Sequence, residues 1–162
     1  GEHFQVCHLP LSEALQQKVK QGEPQLLSFL PMPGLLQSDF LEWTVYLAAP
    51  ATLLFVAADR VYWYRLQPLA ADRMHIRTTM LVHPDSVAAD NYPQVLAEEI
   101  ELMRAFHLED MEMCSAVQSG LTSATYRPGP LNALEQPLWL FQRYLARQIE
   151  QHSLARSEVA RE

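Results

Sequence analysis

A carboxylate on the apolar edge of a predicted helix is the residue that points most strongly to chemistry. Residues 108–121 contain no proline, and no glycine before Gly120, and their apolar side chains recur at helical spacing. Asp110 precedes two of them, Met113 and Cys114, by three and four residues, so its carboxylate is expected on the buried side. A buried carboxylate is costly unless a cation, a metal ion or several donors hold it. Asp110 is therefore a candidate metal ligand. Alternatively, Asp110 lies in the first turn of the helix, where a carboxylate interacts favourably with the helix dipole.

His107 lies three residues before Asp110 and therefore shares its helix face. A histidine at this position can donate a hydrogen bond that orients a carboxylate ligand. A plain surface histidine fits the same spacing. The sequence leaves both interpretations open.

A rigid turn and a second helix follow the predicted helix. Residues 126–130 contain Pro128 and Pro130 around Gly129, a composition that excludes helix and central strand. Apolar residues at helical spacing then predict a helix over about 135–152. The order is therefore helix, turn, helix.

The whole stretch resembles the C-terminal signature of Rieske-type non-haem iron oxygenase α subunits, the ring-hydroxylating oxygenases and their amine-oxidising relatives. The residues that carry the resemblance are Glu109-Asp110, Cys114, Val117-Gln118, Gly120-Leu121, Ser123, Tyr126-Arg127-Pro128-Gly129, Leu131 and Glu135. In that family the aspartate of the Glu-Asp pair is the carboxylate ligand of a mononuclear iron. The resemblance therefore implies this role for Asp110.

The same resemblance implies where the other iron ligands lie. The N-terminal residues resemble, loosely, the family segment that carries two iron-binding histidines, and His8 takes the place of the first. The family spacing puts the second at position 13, where this sequence has Glu13. The implied metal set is His8, Glu13 and Asp110, and its extra carboxylate would weaken selectivity for Fe(II). Whether the chain is an active enzyme therefore depends on Glu13.

Ordinary structural roles also account for His8 and Glu13. His8 fits a helical or capping histidine. Glu13 fits a surface position in the first turn of a helix that Ser12 caps.

A Rieske cluster requires two cysteines and two histidines on two loops. Neither Cys7 nor Cys114 lies in such a pair, so we expect the 2Fe-2S cluster in a missing N-terminal domain or in a partner. Gln5 stands where the family has an acidic residue that links the iron site to a neighbouring cluster. The resemblance further implies O2, a reductase or ferredoxin as electron donor, a small organic substrate that is hydroxylated or dealkylated, and a homotrimer.

Length, composition and charge limit the number of domains, the classes of partner and the location that the chain can have. The 162 residues are expected to form a single domain, 1–162, which is the catalytic-domain portion of such a protein. A net charge of −7 without a Lys/Arg cluster argues against nucleic acid and anionic membranes as partners. The longest apolar run, 45–58, is too short to cross a bilayer, and no signal peptide is evident. With two cysteines, the expected location is the cytoplasm.

Alternation and turn signals predict strands over 40–49, 52–57, 61–66 and 73–82, with a further candidate at 25–30. Short turns between the strands predict an antiparallel meander. In addition to those above, helices are predicted from a possible cap at Ser12 through Leu15 to Lys20, and over 92–106. The fold class is therefore α+β, and the resemblance implies a START-like helix-grip, in which a curved sheet packs on a long C-terminal helix around a cavity.

A second function of a different class fits the same sequence. A helix-grip domain without metal would bind a small apolar or amine ligand without redox chemistry. Glu13 and Gln5 favour this alternative, whereas the signature over 109–131 favours the oxygenase. Packing residues can persist after activity is lost, so the signature alone does not decide between them.

Overall fold

The computed structural model describes residues 3–22 and 27–159, which form five strands and four α-helices. The strands are β1 (Phe4–Pro10), β2 (Glu42–Ala48), β3 (Thr52–Val56), β4 (Arg60–Ala70) and β5 (Arg73–Val82). The helices are α1 (Glu13–Lys20), α2 (Pro84–Val87), α3 (Tyr92–Leu121) and α4 (Gln136–Val159). Two short 3₁₀ helices, Gln37–Phe40 and Ala133–Glu135, precede β2 and α4.

The strands form one open sheet in chain order, β1-β2-β3-β4-β5, and every neighbouring pair is antiparallel. This order confirms the predicted meander for β2 to β5, because short connections join each of these strands to the next. Four strands lie where alternation predicted them. The combination of a curved antiparallel sheet with long helices confirms the α+β class.

The sheet has one face turned toward α3, called here the helix side. Tyr62 and Tyr64 of β4 lie on it, because Tyr62 bonds to Glu99 of α3 and the Tyr64 ring lies 5.4 Å from the ring of His107. Strand partners share a face, so the register extends the helix side through Phe55, opposite Tyr62, to the two remaining strands. On β2 and β1 the same face carries Val45 and its partner Cys7.

The buried apolar core is small and lies toward one end of the sheet. Its members lie beside the ends of β1 and β3 and the start of β4, and they are Leu11, Phe29, Ala57, Ala58 and Tyr62. The accessible surface is 12205 Å², against roughly 8,200 Å² expected for a folded monomer of this size. Many apolar side chains of α3 and α4 therefore remain exposed.

Three predictions about the elements are wrong. The predicted helices over 92–106 and 108–121 are one continuous helix, α3, because no proline or glycine interrupts residues 106–108. The N-terminal residues, for which no strand was predicted, form β1 through pairing with β2. Residues 27–30 are irregular rather than strand, and the rest of that predicted strand lies outside the described residues.

Candidate functional site

Asp110 lies in the middle of α3, and its side chain is exposed. The expectation of a buried carboxylate is therefore wrong, because α3 is exposed throughout residues 108–117. Asp110 nevertheless stands close to the sheet, since its charge helps to raise the pKa of Tyr64 on β4. The carboxylate thus borders the space between α3 and the helix side while remaining open to solvent.

Tyr64 is the sheet residue that faces this part of α3. Burial, with the Asp110 carboxylate as second cause, raises the pKa of the Tyr64 phenol to about 12. The half-buried ring of His107 packs against the Tyr64 ring, and Nδ1 of His107 donates to the backbone oxygen of Met103 at 2.7 Å. This hydrogen bond leaves Nδ1 unable to orient Asp110.

His8 lies on β1 and points away from the helix side. Its neighbour Cys7 belongs to that side, and successive strand residues alternate between faces. Nδ1 of His8 donates to Oε1 of Glu42 on β2 at 2.6 Å, an ion pair when the histidine is protonated. The structure therefore places His8 and Asp110 on opposite sides of the sheet and does not bring them together.

Glu13 is the first residue of α1 and is exposed. Its neighbour Ser12 caps the helix, because its hydroxyl accepts a hydrogen bond from the Leu15 amide at 3.4 Å. A carboxylate in the first turn also interacts favourably with the helix dipole. The placement agrees with the structural role considered for Glu13.

The described residues do not supply a complete ligand set for iron. Among the side chains that the structure describes, no three from His, Cys, Asp or Glu are grouped so that they could hold one metal ion. Metal binding by His8, Glu13 and Asp110 therefore stays a prediction. Of the three, Asp110 is the one at the sheet–helix boundary.

A buried polar cluster, which sequence analysis did not find, joins α3 to the start of β4. Its members are Ser28, Asp59, Arg60, Tyr62 and Glu99, and we call it the Glu99 cluster. Arg60 lies between two carboxylates, 2.7 Å from Asp59 and 2.9 Å from Glu99. Tyr62 donates a hydrogen bond to Glu99. Asp59, which has no exposed surface, also accepts from the Ser28 amide at 2.7 Å.

The environment of the Glu99 cluster changes the acidity of two of its members. Burial and the hydrogen bond to Glu99 raise the pKa of Tyr62 far above its ordinary value. Burial opposes the charge on Arg60, but its interactions with Asp59, Tyr62 and Glu99 outweigh this effect and raise the pKa of Arg60. The guanidinium therefore stays charged between its two carboxylates.

Gln5 is the one residue of β1 that is buried, and it lies on the helix side. Neither its Nε2 nor its Oε1 atom has a hydrogen-bond partner among the described residues. Native proteins leave few buried amide groups unpaired, because each costs free energy comparable to a lost hydrogen bond. Gln5 is thus a locally unfavourable residue in this strand.

A cavity of about 290 Å³ opens at the end of the sheet, away from Asp110. It is lined by residues of α1, of the first 3₁₀ helix, of the start of β2 and of the segments that follow β1 and β3, including Leu11, Val19, Phe40, Trp43 and Ala57. Two further lining residues, Gly22 and Leu27, flank the undescribed residues 23–26. No residue of α3 or α4 in the described chain is among those that line it.

Comparison with known protein families gives one match that spans nearly the whole chain. Residues 3–151 match the family model described as "Ring hydroxylating alpha subunit (catalytic domain)". The match includes all five strands, Asp110 and most of α4. In the part of the chain that the structure describes, no helix is long and apolar enough to cross a bilayer.

Proposed function

This chain belongs to the ring-hydroxylating α-subunit family, in its catalytic domain, and from that membership we propose that it is the catalytic-domain portion of an oxygenase in which Asp110 binds a mononuclear iron. The substrate is a small organic molecule, which is hydroxylated or dealkylated with O2. The metal-free alternative gains no support from the family match.

The position of Asp110 supports this proposal. Its carboxylate is exposed, so a metal ion can reach it, yet it is close enough to Tyr64 to affect the ionisation of the buried phenol. Carboxylate oxygen is a suitable donor for ferrous iron. The chain therefore presents an accessible oxygen ligand at the boundary between α3 and the sheet.

When bound, mononuclear iron supplies the O2 chemistry. The residues of this chain provide the surroundings: the Tyr64 phenol, which is protonated at neutral pH like any tyrosine, offers a hydrogen-bond donor near the Asp110 carboxylate. A 2Fe-2S cluster in another domain or in a partner protein would supply the electrons, which it would receive from a reductase or ferredoxin. A homotrimer and a cytoplasmic location are further expectations of this proposal.

Iron content measured by elemental analysis after anaerobic loading with ferrous iron tests the role of Asp110. We expect about one iron per chain in the wild type and its loss in Asp110→Ala. Glu109→Ala is the matched control, because it removes the neighbouring exposed carboxylate from the same helix. Equal iron content in the wild type and Asp110→Ala would show that Asp110 is not a ligand.

Two further variants test the rest of the predicted set. If His8 or Glu13 also binds the metal, His8→Ala or Glu13→Ala lowers the iron content as Asp110→Ala does. Full iron content in both variants would remove them from the ligand set and leave Asp110 as the ligand that this chain contributes.

A further inference from the structure

We propose that Glu99 is a positioning residue that holds α3 against β4 in one orientation and thereby determines where Asp110 stands. This inference rests on the proposed function, because metal binding by Asp110 depends on where its side chain lies. Glu99 itself is too far along the helix to touch anything that Asp110 binds, and so it acts through α3.

The contacts of Glu99 are directional and come from two parts of the chain. Oε2 accepts from the Ser28 hydroxyl at 2.7 Å, and Oε1 accepts from the Tyr62 hydroxyl. Nε of Arg60 lies 2.9 Å from Oε1. Both carboxylate oxygens are therefore bound, and the side chain has little freedom to rotate.

Glu99 is also the only buried residue of α3. It is 4% exposed, and its partners Arg60 and Tyr62 are 8% and 4% exposed. A charged hydrogen bond in such an environment is stronger than one in water, and breaking it leaves buried charge without compensation. The Glu99 cluster is thus a firm attachment on a helix that otherwise exposes most of its surface.

The attachment fixes more than one point because of helix geometry. About three complete turns separate Glu99 from Asp110, so both side chains leave α3 on nearly the same side, roughly 16 Å apart along its axis. The contact nearer to Asp110 is the packing of the His107 ring against Tyr64, which constrains rotation less than hydrogen bonds do. The contacts of Glu99 therefore fix the rotation of α3 about its axis, and this rotation determines the position of the Asp110 side chain.

Substitution of Glu99 by leucine and by glutamine tests the proposal. Glu99→Leu removes every polar contact, whereas Glu99→Gln retains an oxygen acceptor for Tyr62 and Arg60 and offers an amide donor to Ser28. Glu101→Leu is the control, since it changes an exposed glutamate of the same helix. Two quantities are measured: the nuclear Overhauser effect between the rings of Tyr64 and His107 in metal-free protein, and the affinity for ferrous iron.

We expect Glu99→Leu to lose the nuclear Overhauser effect between Tyr64 and His107. We also expect this variant to bind ferrous iron about 10- to 100-fold more weakly than the wild type. Glu99→Gln and Glu101→Leu should keep both. A folded Glu99→Leu protein that keeps the signal, or that loses it with unchanged iron affinity, overturns the proposal. The same holds if Glu99→Gln is as impaired as Glu99→Leu, because a positioning role predicts rescue by the amide.

Two milder variants keep the test decisive if Glu99→Leu does not fold. Tyr62→Phe and Ser28→Ala each remove one hydrogen bond to Glu99, and together they should weaken the signal and the affinity. If neither the signal nor the affinity changes, the proposal is overturned. If the wild type binds no iron, the proposed function fails, while the ring signal still tests whether Glu99 orients α3.

Discussion

Nδ1 of His8 donates to Oε1 of Glu42 at 2.6 Å, and this pair occupies the sheet face opposite α3. The pairing accounts for His8 as a surface residue that links β1 to β2. It also separates His8 from Asp110 by the thickness of the sheet. The two residues that the resemblance assigns to one iron site thus have different surroundings.

The His8–Glu42 pair is expected to contribute little to stability. The side chains are 60% and 36% exposed, so solvent screens their interaction. A double-mutant cycle with His8→Ala and Glu42→Gln should give a coupling free energy of about 0.2–1 kcal/mol, decreasing with added salt. Chemical denaturation measures it. A coupling several times larger would contradict an exposed pair.

Asp110→Asn should lower the pKa of Tyr64 without returning it to its ordinary value. Burial is the first cause of the raised pKa and remains in the variant, whereas the charge of Asp110 is removed. NMR of tyrosine labelled at Cζ, assigned with Tyr64→Phe, measures the change. Glu109→Gln is the control and should leave the pKa near 12. An unchanged pKa in Asp110→Asn would mean that Asp110 is not beside Tyr64.

Tyr64 also predicts how stability depends on alkaline pH. Its folded-state pKa of about 12 lies above the unfolded value of 10.0, so the folded state retains the proton longer. The stabilising contribution is complete below pH 10 and is lost between about pH 10 and 12. Denaturation across this range should show a shallower loss in Tyr64→Phe than in the wild type. Tyr62, whose pKa is also raised, contributes to the dependence of stability on alkaline pH in both proteins.

Arg60→Met should be strongly destabilising. It leaves the buried carboxylates of Asp59 and Glu99 without their cation, which typically costs about 3–5 kcal/mol. Arg65→Met is the matched control on the same strand, because Arg65 is exposed and packs on the Trp63 ring. That change should cost less than about 1 kcal/mol. Similar losses in both variants would contradict the role of the Glu99 cluster.

Gln5→Met should raise stability. Methionine has a similar shape but no polar groups, so the variant avoids burying an amide whose nitrogen and oxygen lack partners among the described residues. The expected gain is about 1 kcal/mol, measured by thermal or chemical denaturation. Gln67→Met, an exposed change on β4, should have almost no effect. A clear loss of stability in Gln5→Met would indicate that the amide has a partner in solution.

Local sequence determined most of the secondary structure. Alternation and turn residues suffice for β2 to β5, since each strand is joined to the next by a short connection. Helical spacing located α3 and α4, and the ordered residues from Glu109 to Glu135 indicated the family that residues 3–151 match. These features depend on residues close together in the chain, and so sequence reasoning could find them.

Tertiary structure decided what depends on distant residues. β1 exists because β2, more than thirty residues later, supplies its hydrogen-bond partners, and this pairing turned His8 away from α3. The Glu99 cluster brings Asp59 and Arg60 to a carboxylate on another element. The exposure of Asp110 depends on which elements cover α3, and helical periodicity cannot report that. Sequence thus identified Asp110 as a chemical group, and packing between distant segments decided its surroundings.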